Sequence, residues 1–527
     1  MCGIAGALVV DGDFRIDPDF IARMRDTMAH RGPDGIGLWI DDDCRVGLGF
    51  RRLSIIDLSP AAMQPMTNED GSLRLIFNGE IYNHAAIRVE LEQLGGHSWS
   101  TDHSDAEVIL HAFEQWGIDC LARFRGMFAM ALWDGRAGAL WLIRDRIGIK
   151  PLYYSIHDGR ITFASEIKAL LTDQQQARRI NEEALFDYLS FLTTPAPTTL
   201  FEGIRKLPPG TWLRVASDGS LTERRWWDVW DHVAPLTGAS DDDIAERVLD
   251  GLRTAVDLRK VSDVPVGVFL SGGVDSSTNA ALFSSGERQP IKTFSIGYEG
   301  DYRSYPDELR FARRMAAEIG AEHHELRLNQ DSVLDFLPRM IQLQDEPIAD
   351  PVCVPLYYLS KLARDHGVVV AQAGEGADEL FCGYPAWHRA LDMQRVQNLP
   401  IPSFARSAGL AGLEMIGRDR GRRYESFRRG ALGQPVFWGG AEAFTQRVKE
   451  KLLSPRLRET FGGRTSWHAI EPIRRRFESA AWEHSTLNWM TYLDLNLRLP
   501  ELLLMRIDKM SMGASVEARV PFLDMSS

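Results

Sequence analysis

The chain is poor in cysteine, in positive charge and in long apolar runs, and each shortage excludes something. Its five cysteines (Cys2, Cys44, Cys120, Cys353 and Cys382) are odd in number, widely spread and without C-x-x-C spacing. That disfavours a disulfide framework or a zinc site and leaves each thiol to be judged by its position. Lysine and arginine total 60 against 73 aspartates and glutamates, a formal net charge of −13. No nucleic-acid partner is expected from that balance. No uninterrupted apolar run approaches the roughly 18 residues of a membrane span, and no charged-then-apolar leader opens the chain. The expectation is a cytoplasmic protein with no membrane partner. A length of 527 residues leaves room for roughly two to four domains, each with its own core.

What is present centres on Phe269-Leu-Ser-Gly-Gly-Val-Asp-Ser-Ser277. The apolar run Val264–Leu270 reads as a buried strand. After the turn, Ser276 and Ser277 read as caps of a helix continuing through Ala280, Ala281 and Leu282. Strand, glycine turn and helix N-terminus suit an anion, because glycines admit backbone N–H groups and the helix dipole favours negative charge. Ser271, Ser276 and Ser277 add hydroxyl donors, and Asp275 is placed to face a Mg²⁺ ion. The stretch has neither the lysine of G-x-x-x-x-G-K-[ST] nor the G-x-G-x-x-G pattern, so it would hold a nucleoside triphosphate differently. An ordinary tight strand-to-helix turn is the alternative.

Cys2 is the thiol with a special position. Removal of Met1 would leave it N-terminal, joining a thiol to an α-amine of ordinary pKa about 7.7–8.0. Nucleophile and base then share one residue, as in N-terminal nucleophile hydrolases. A small apolar residue opening a strand from Gly3 to Val10 is the alternative. His30-Arg-Gly-Pro-Asp34 reads as a loop after an amphipathic helix that begins near Asp19 and ends near Met28. Phe50–Asp57 reads as a strand opening with two cations, and Leu73–Phe77 as another with Asn78, Gly79 and Glu80 at its end. Val108, Leu110, Ala112 and Phe113 form a helical pattern after Thr101–Asp105. The runs 128–133 and 139–143 read as a hairpin. Strands outnumber helices over residues 1–215, which predicts an antiparallel-rich α+β domain.

The order and spacing of Cys2-Gly-Ile4, His30-Arg-Gly-Pro-Asp34, Arg52-Leu-Ser-Ile-Ile56, Asn78-Gly-Glu80, Tyr82-Asn83 and Ser104-Asp105 resemble the glutaminase domain of class II glutamine amidotransferases. The resemblance implies an N-terminal nucleophile hydrolase fold, a four-layer αββα sandwich. It implies that Cys2 attacks the glutamine side-chain amide, with Asn78 and the N–H of Gly79 as the oxyanion hole. Arg52 would pair with the substrate carboxylate, a task for a planar guanidinium, and Glu80 and Asp105 would accept the substrate ammonium. Leu53, Ser54, Ile55 and Ile56 would complete the glutamine site.

Residues 216–240 are polar and turn-rich and read as a linker. From Asp241, Ile244, Val248, Leu252 and Val256 mark one face of an amphipathic helix. Strands and helices then alternate. Ile291–Ile296 and Val368–Ala371 are strands, Glu325–Leu328 a short one, and Glu308–Ile319 and Leu356–Arg364 are helices. The alternation predicts a doubly wound parallel sheet over 241–527, with ligands beyond the carboxyl ends of its strands. Gly374-Glu-Gly-Ala-Asp-Glu-Leu380 lies past one such end and suits metal-bound phosphates; a solvated acidic turn is the alternative. Residues 395–490 read as helical packing without nameable chemistry.

Together the two turns resemble the pyrophosphate-loop ATP site of the asparagine synthetase family, an α/β adenine-nucleotide hydrolase-like domain with a helical C-terminal part. The resemblance implies ATP and Mg²⁺, with Ser271, Gly272, Gly273, Asp275 and Ser276 on the phosphates. Leu270, Ile296, Ala373 and Gly374 would line the nucleoside pocket. Glu375 would act in forming an acyl-adenylate, and Asp275 and Asp378 would meet the metal. Within Leu499–Met512 and Val516–Asp524, Lys509 would touch pyrophosphate, and Glu517 and Arg519 would lie near the acceptor, although a buried ion pair between Glu517 and a cation explains all three equally well. Family members continue past Pro521-Phe-Leu-Asp524 with a lysine-bearing loop, whereas this sequence stops at Ser527; either it is truncated or the synthetase step lacks that cation. The expected activity is amidation of aspartate by ammonia from glutamine, in a homodimer, with a dry passage between the domains. Another carboxylate acceptor, such as a uronic acid or a peptide, and a non-catalytic regulator are the alternatives, and Asp345–Val352 lacks the Thr/Arg pair of some aspartate users.

Overall fold

Small and branched apolar residues fill Gly3–Val9, every one of them buried. They make this strand an inner member of a six-stranded antiparallel sheet with the spatial order Ile204–Lys206, Tyr153–His157, Arg160–Ala164, Gly3–Val9, Val46–Arg52, Gly35–Ile40. A second six-stranded antiparallel sheet runs Leu221–Arg225, Thr211–Ala216, Ala139–Arg144, Gly126–Asp134, Leu73–Ile81, Met66–Thr67. The computed structural model describes residues 2–231, 233–300 and 308–524. Met1 and Ser527 lie outside the described residues.

The sheets pack face to face through Ile4, Leu8, Leu48 and Phe50 against Ile76, Ala129, Leu140 and Leu142. Outside the first lies helix Pro18–Asp26, started by Asp17, whose side chain accepts from Asp19 N, and by proline in its first turn. Its Phe20, Ile21 and Met24 cover Ala5 and Ala7. Outside the second, helices His84–Leu94 and Asp105–Trp116 bury Ile87, Leu91, Val108 and Ile109 against Leu75, Phe77 and Met130. Each such side chain stabilises the sandwich by about 1.5–3 kcal/mol. The result is the expected αββα arrangement.

Three local expectations change. Leu221–Arg225, within the stretch read as linker, pairs with Thr211–Ala216 as an edge strand. Ser217-Asp-Gly-Ser220 is its hairpin turn, with Gly219 at φ +80°. The strand containing Phe50 ends at Arg52, because that guanidinium folds the next residues back, donating to the carbonyls of Asp57 and Ser59. Asn78–Glu80 lie inside a strand, paired with Met127–Ala129, and not at its end.

The second half contains a five-stranded parallel sheet ordered Glu322–Leu328, Lys292–Tyr298, Val266–Phe269, Val370–Gln372, Glu517–Arg519. Val256, Ala280, Phe283 and Ala312 cover it around Val268. Leu356, Ala363, Ile507 and Met510 lie in the core that contains Phe269 and Ala371. The chain winds outward in both directions from the central Val266–Phe269, so the turns after it and after Val370–Gln372 meet at the switch point. Helix Val274–Ser284 starts earlier than expected, with Gly273 at the cap position and no side-chain cap. Ser276 sits in its first turn, its hydroxyl bonded back to Gly273 O and to Ser271 Oγ. Residues 385–496 are largely helical, and no helix among the described residues is long and apolar enough to cross a membrane.

Candidate functional site

Two clefts carry the predicted residues. The first, small at about 30 Å³, lies at the edge of the sandwich and is lined by Cys2, Arg52, Leu53, Ile55, Ile56, Gly79, Glu80, Ser104 and Asp105, among others. Cys2 is buried with Sγ 4.0 Å from the carbonyl of Leu53, and burial pushes its thiol pKa up. Asn78 stands behind it. Its Oδ1 accepts from Cys2 N at 2.9 Å, while its Nδ2 is buried with no hydrogen-bond partner. Such an orphaned donor is rare in folded proteins. Gly79 is required by close approach, since a Cβ there would sit 2.1 Å from Met127 O. Asp105 accepts from Ile81 N at 3.0 Å. Glu80 is held well above the usual carboxylate range by burial, with the charges of Glu517 and Asp105 adding to it. A substrate ammonium arriving there would draw the proton off. Ser54 is turned away, its amide donating to Asp34 Oδ2 at 2.9 Å. Arg52 spends N–H groups on the loop carbonyls and retains others for a carboxylate.

The loop over this cleft belongs to both halves of the chain. Leu53, Ile55 and Ile56 pack with Val370 and Met512. Asp263, just before the central parallel strand, accepts from Asp57 N at 2.7 Å, donates its own N–H to Ile55 O at 2.9 Å, and pairs with His103 Nε2 at 2.7 Å. Arg31, fully buried, donates to Cys2 O at 3.2 Å, to Glu166 at 3.1 Å and to Asp508 at 3.2 Å. Removing one member of such a buried network costs on the order of 3–5 kcal/mol.

The second cleft, about 660 Å³, opens at the switch point and has the size of a nucleotide pocket. Leu270, Ser271, Gly273, Asp275, Ser276, Ile296, Ala373, Gly374 and Glu375 all line it, with Pro351 and Val352 of the segment flagged for acceptor choice. Gly272 holds the turn: it lies at φ +81°, and a Cβ would come 2.6 Å from Ala312 N. Asp275 is pushed up by burial, with Asp378 adding its charge. Two acids in that relation suit a dication, so the residues fit Mg²⁺. Glu375 accepts from Arg506 Nη2 at 2.8 Å, and Arg506 also donates to Asp350 at 2.6 Å.

Asp378 is not among the residues lining this cavity, and Lys509, Glu517 and Arg519 lie farther off. Lys509 is fully buried and paired with Asp345 at 3.0 Å, apart from the nucleotide cavity. The segment around it turns toward the domain interface, where Lys168 also meets Asp345 at 3.0 Å. Glu517 and Arg519 form a buried pair at 2.6 Å beneath the first cleft, and do not line the second. Arg519 lies 3.8 Å from Glu80, while its backbone carbonyl accepts from Ala373 N at 2.8 Å. One residue therefore touches a wall of each cleft. Sequence reasoning missed Arg31, Asp263 and Arg506. The signal for Arg506 was a single cation inside the apolar helical run Leu502-Leu-Leu-Met-Arg-Ile507.

Residues 1–227 match the family model described as a glutamine amidotransferase domain, and residues 247–526 match that described as asparagine synthase. Among relatives, asparagine synthetase [glutamine-hydrolyzing] 1 of Bacillus subtilis (strain 168) is 35% identical over 99% of this chain and 79% of its own length. Asparagine synthetase [glutamine-hydrolyzing] 3 of the same strain is 33% identical over 74% of this chain and 64% of its own. Amidase chry2 of Gibberella zeae is 31% identical over 73% of this chain and 60% of its own.

Proposed function

Because the chain belongs to the asparagine synthase family of glutamine-hydrolysing ligases, with a glutamine amidotransferase domain ahead of the ATP-using one, we propose that it converts aspartate to asparagine. The co-substrates are ATP and glutamine. The observation that carries the reading is that the two clefts adjoin through Arg519, whose guanidinium lies 3.8 Å from Glu80 and whose carbonyl accepts from Ala373 N.

In the first half-reaction the Cys2 thiol, freed of its proton by the α-amine of the processed N-terminus, attacks the side-chain amide of glutamine. The developing oxyanion takes the idle Nδ2 of Asn78 and the N–H of Gly79. Collapse expels ammonia and leaves a thioester, which water opens to glutamate. Arg52 holds the substrate carboxylate, and Glu80 and Asp105 hold its ammonium.

In the second, the acceptor carboxylate attacks the α-phosphorus of ATP and displaces pyrophosphate, giving an acyl-adenylate. The Ser271–Ser276 turn binds phosphate oxygens through backbone N–H groups and hydroxyls at a helix N-terminus. Asp275 and Asp378 would hold Mg²⁺, which when bound offsets the charge of the departing pyrophosphate. Arg506, fixed by Asp350 and Glu375, is the cation offered to the α-carboxylate of aspartate, and the two acids are the partners of its α-ammonium. Ammonia attacks the acyl carbon and AMP leaves. In neutral water ammonia would be largely protonated and inert, so the chemistry calls for a dry passage between the two clefts.

The acceptor is tested by competition. With ATP, glutamine and equal aspartate and uronic acid, asparagine is the dominant amide. A site that pairs Asp350 and Glu375 with an ammonium rejects a sugar acid that lacks one. A uronamide without asparagine would keep the amidotransferase chemistry and overturn the acceptor.

A further inference from the structure

Four side chains with no place in either half-reaction meet in the N-terminal domain, and none lines either cleft. His111 and Glu114 stand one turn apart on helix Asp105–Trp116. His97 comes from the loop before that helix, and Glu69 from the turn between strands Met66–Thr67 and Leu73–Ile81. One donor atom of each lies within 4.8 Å of the other three. Glu114 Oε2 is 2.9 Å from His111 Nδ1 and 3.6 Å from His97 Nδ1, and Glu69 Oε1 is 3.9 Å from His111 Nδ1.

The imidazoles are buried, with side chains 7% exposed for His97 and 2% for His111. Neither ring nitrogen of His97 has a hydrogen-bond partner, and Nε2 of His111 has none either. Buried polar atoms ordinarily find partners, so the idle imidazole of His97, with Nδ1 3.6 Å from the Glu114 oxygen that already holds His111 Nδ1, points to a missing electrophile.

The donor set names the class of ion. Two imidazoles and two carboxylates suit Zn²⁺ and its first-row neighbours, and they bring two negative charges to a dication. Donors around a tetrahedral zinc stand about 3.3 Å apart, which the shorter separations here bracket. Glu69, on the surface, supplies the remaining adjustment by rotation. Neighbouring groups already orient the ligands. Asn68 Nδ2 donates to Glu114 Oε1 at 2.7 Å and leaves Oε2 for the ion, whereas Glu69 Oε1 accepts from Ser98 N and would present its other oxygen. Glu107 stands 4.0 Å from Nε2 of His111, the outer carboxylate typical of a metal-bound imidazole. The nearby Arg136 is engaged with Asp70 at 2.6 Å and stays 4.0 Å from Glu114.

We propose that Glu69, His97, His111 and Glu114 form a structural site for one divalent first-row transition metal, with zinc the best-fitting ion. Four protein donors close the tetrahedral shell, so the ion carries no reactive water. It ties two connecting segments to the helix whose first residue is Asp105, about 9 Å along the axis from His111 at the ordinary rise per residue. The cysteine spacing that disfavoured a zinc site gave no view of this one, because its ligands come from three segments.

The test is zinc titration of the full chain after chelator treatment, in the Cys2→Ala variant so that the thiol is not a ligand. One saturable equivalent is expected, with a rise of several degrees in the melting temperature. Cobalt in its place should show the visible absorption of a tetrahedral complex. His97→Ala and Glu69→Gln, the latter on the surface and unable to disturb a core, should each weaken zinc at least about tenfold. The absence of a saturable equivalent overturns the proposal. So does an equivalent whose affinity is unchanged in both variants, which would assign the metal to other groups.

Discussion

Replacing Asn78 by aspartate isolates one hydrogen-bond donor. Asn78 is fully buried; its Oδ1 accepts from Cys2 N at 2.9 Å, and its Nδ2 has no partner. Asparagine and aspartate are nearly isosteric, so Asn78→Asp keeps the acceptor toward Cys2 and exchanges only the orphaned N–H₂ for an oxygen. Alanine would be less clean, because the Cys2 nitrogen would lose its acceptor at a cost of about 1–3 kcal/mol. One oxyanion-hole donor contributes about 2.7–4 kcal/mol to the barrier, or about 10²–10³ in kcat. A carboxylate beside the developing oxyanion adds repulsion, so the loss should reach the upper end of that range. The assay is glutamate release at saturating glutamine, with kcat read apart from KM, and ammonia-dependent amide formation followed on the same preparation. The first should fall at least about a hundredfold and the second should hold. A fall in kcat of less than about threefold would refute the oxyanion assignment, and a parallel loss of both activities would refute the separation of the sites.

Arg506→Met leaves Glu375 and Asp350 without the cation they share. Pyrophosphate release should drop by about two decades or more while glutamine hydrolysis stays within a few-fold, and an unchanged pyrophosphate burst would remove Arg506 from acceptor binding. Lys449 donates to Ser190 and Ser466 at 2.8 Å each, and burial lowers its pKa to about 7. Unfolded lysine titrates near 10.4, so between about pH 7 and 10 the unfolded chain binds more protons and the native state gains stability as pH rises. The melting temperature of the parent relative to Lys449→Met should climb across that window, and a flat or falling difference would count against the neutral lysine.

Much of the fold was legible because its signals were local. The run into Leu270, the glycine turn and the helix after it give a parallel strand and its phosphate end from one stretch. Alternation in Phe128–Trp133 and Ala139–Ile143 gives a hairpin with Asp134-Gly135 at its turn. What stayed hidden depends on long-range partners. Arg52 ends its strand because its guanidinium finds carbonyls five and seven residues later, which no strand propensity records. Leu221–Arg225 is exposed and charged and became a strand only by pairing with Thr211–Ala216. At the sites, residues beside the glycine turns line the cleft expected of them, whereas Lys509 and Glu517 lie away from it, among buried ion pairs. Lys509 and Glu517 sit in motifs that resemble a nucleotide-binding family, yet their nearest charges are Asp345 and Arg519. Asp263 carries no motif in the sequence, and it holds both loops of the glutamine cleft.

Whether one chain runs two chemistries joined by ammonia is decided by Cys2→Ala. The variant is supplied with ATP, aspartate and either glutamine or an ammonium salt, and glutamate, asparagine, AMP and pyrophosphate are counted. No glutamate and no asparagine are expected from glutamine, with equal amounts of asparagine, AMP and pyrophosphate from ammonia at the parent rate. Glutamate released by the variant, or ADP as the stoichiometric nucleotide product, would contradict the two joined chemistries.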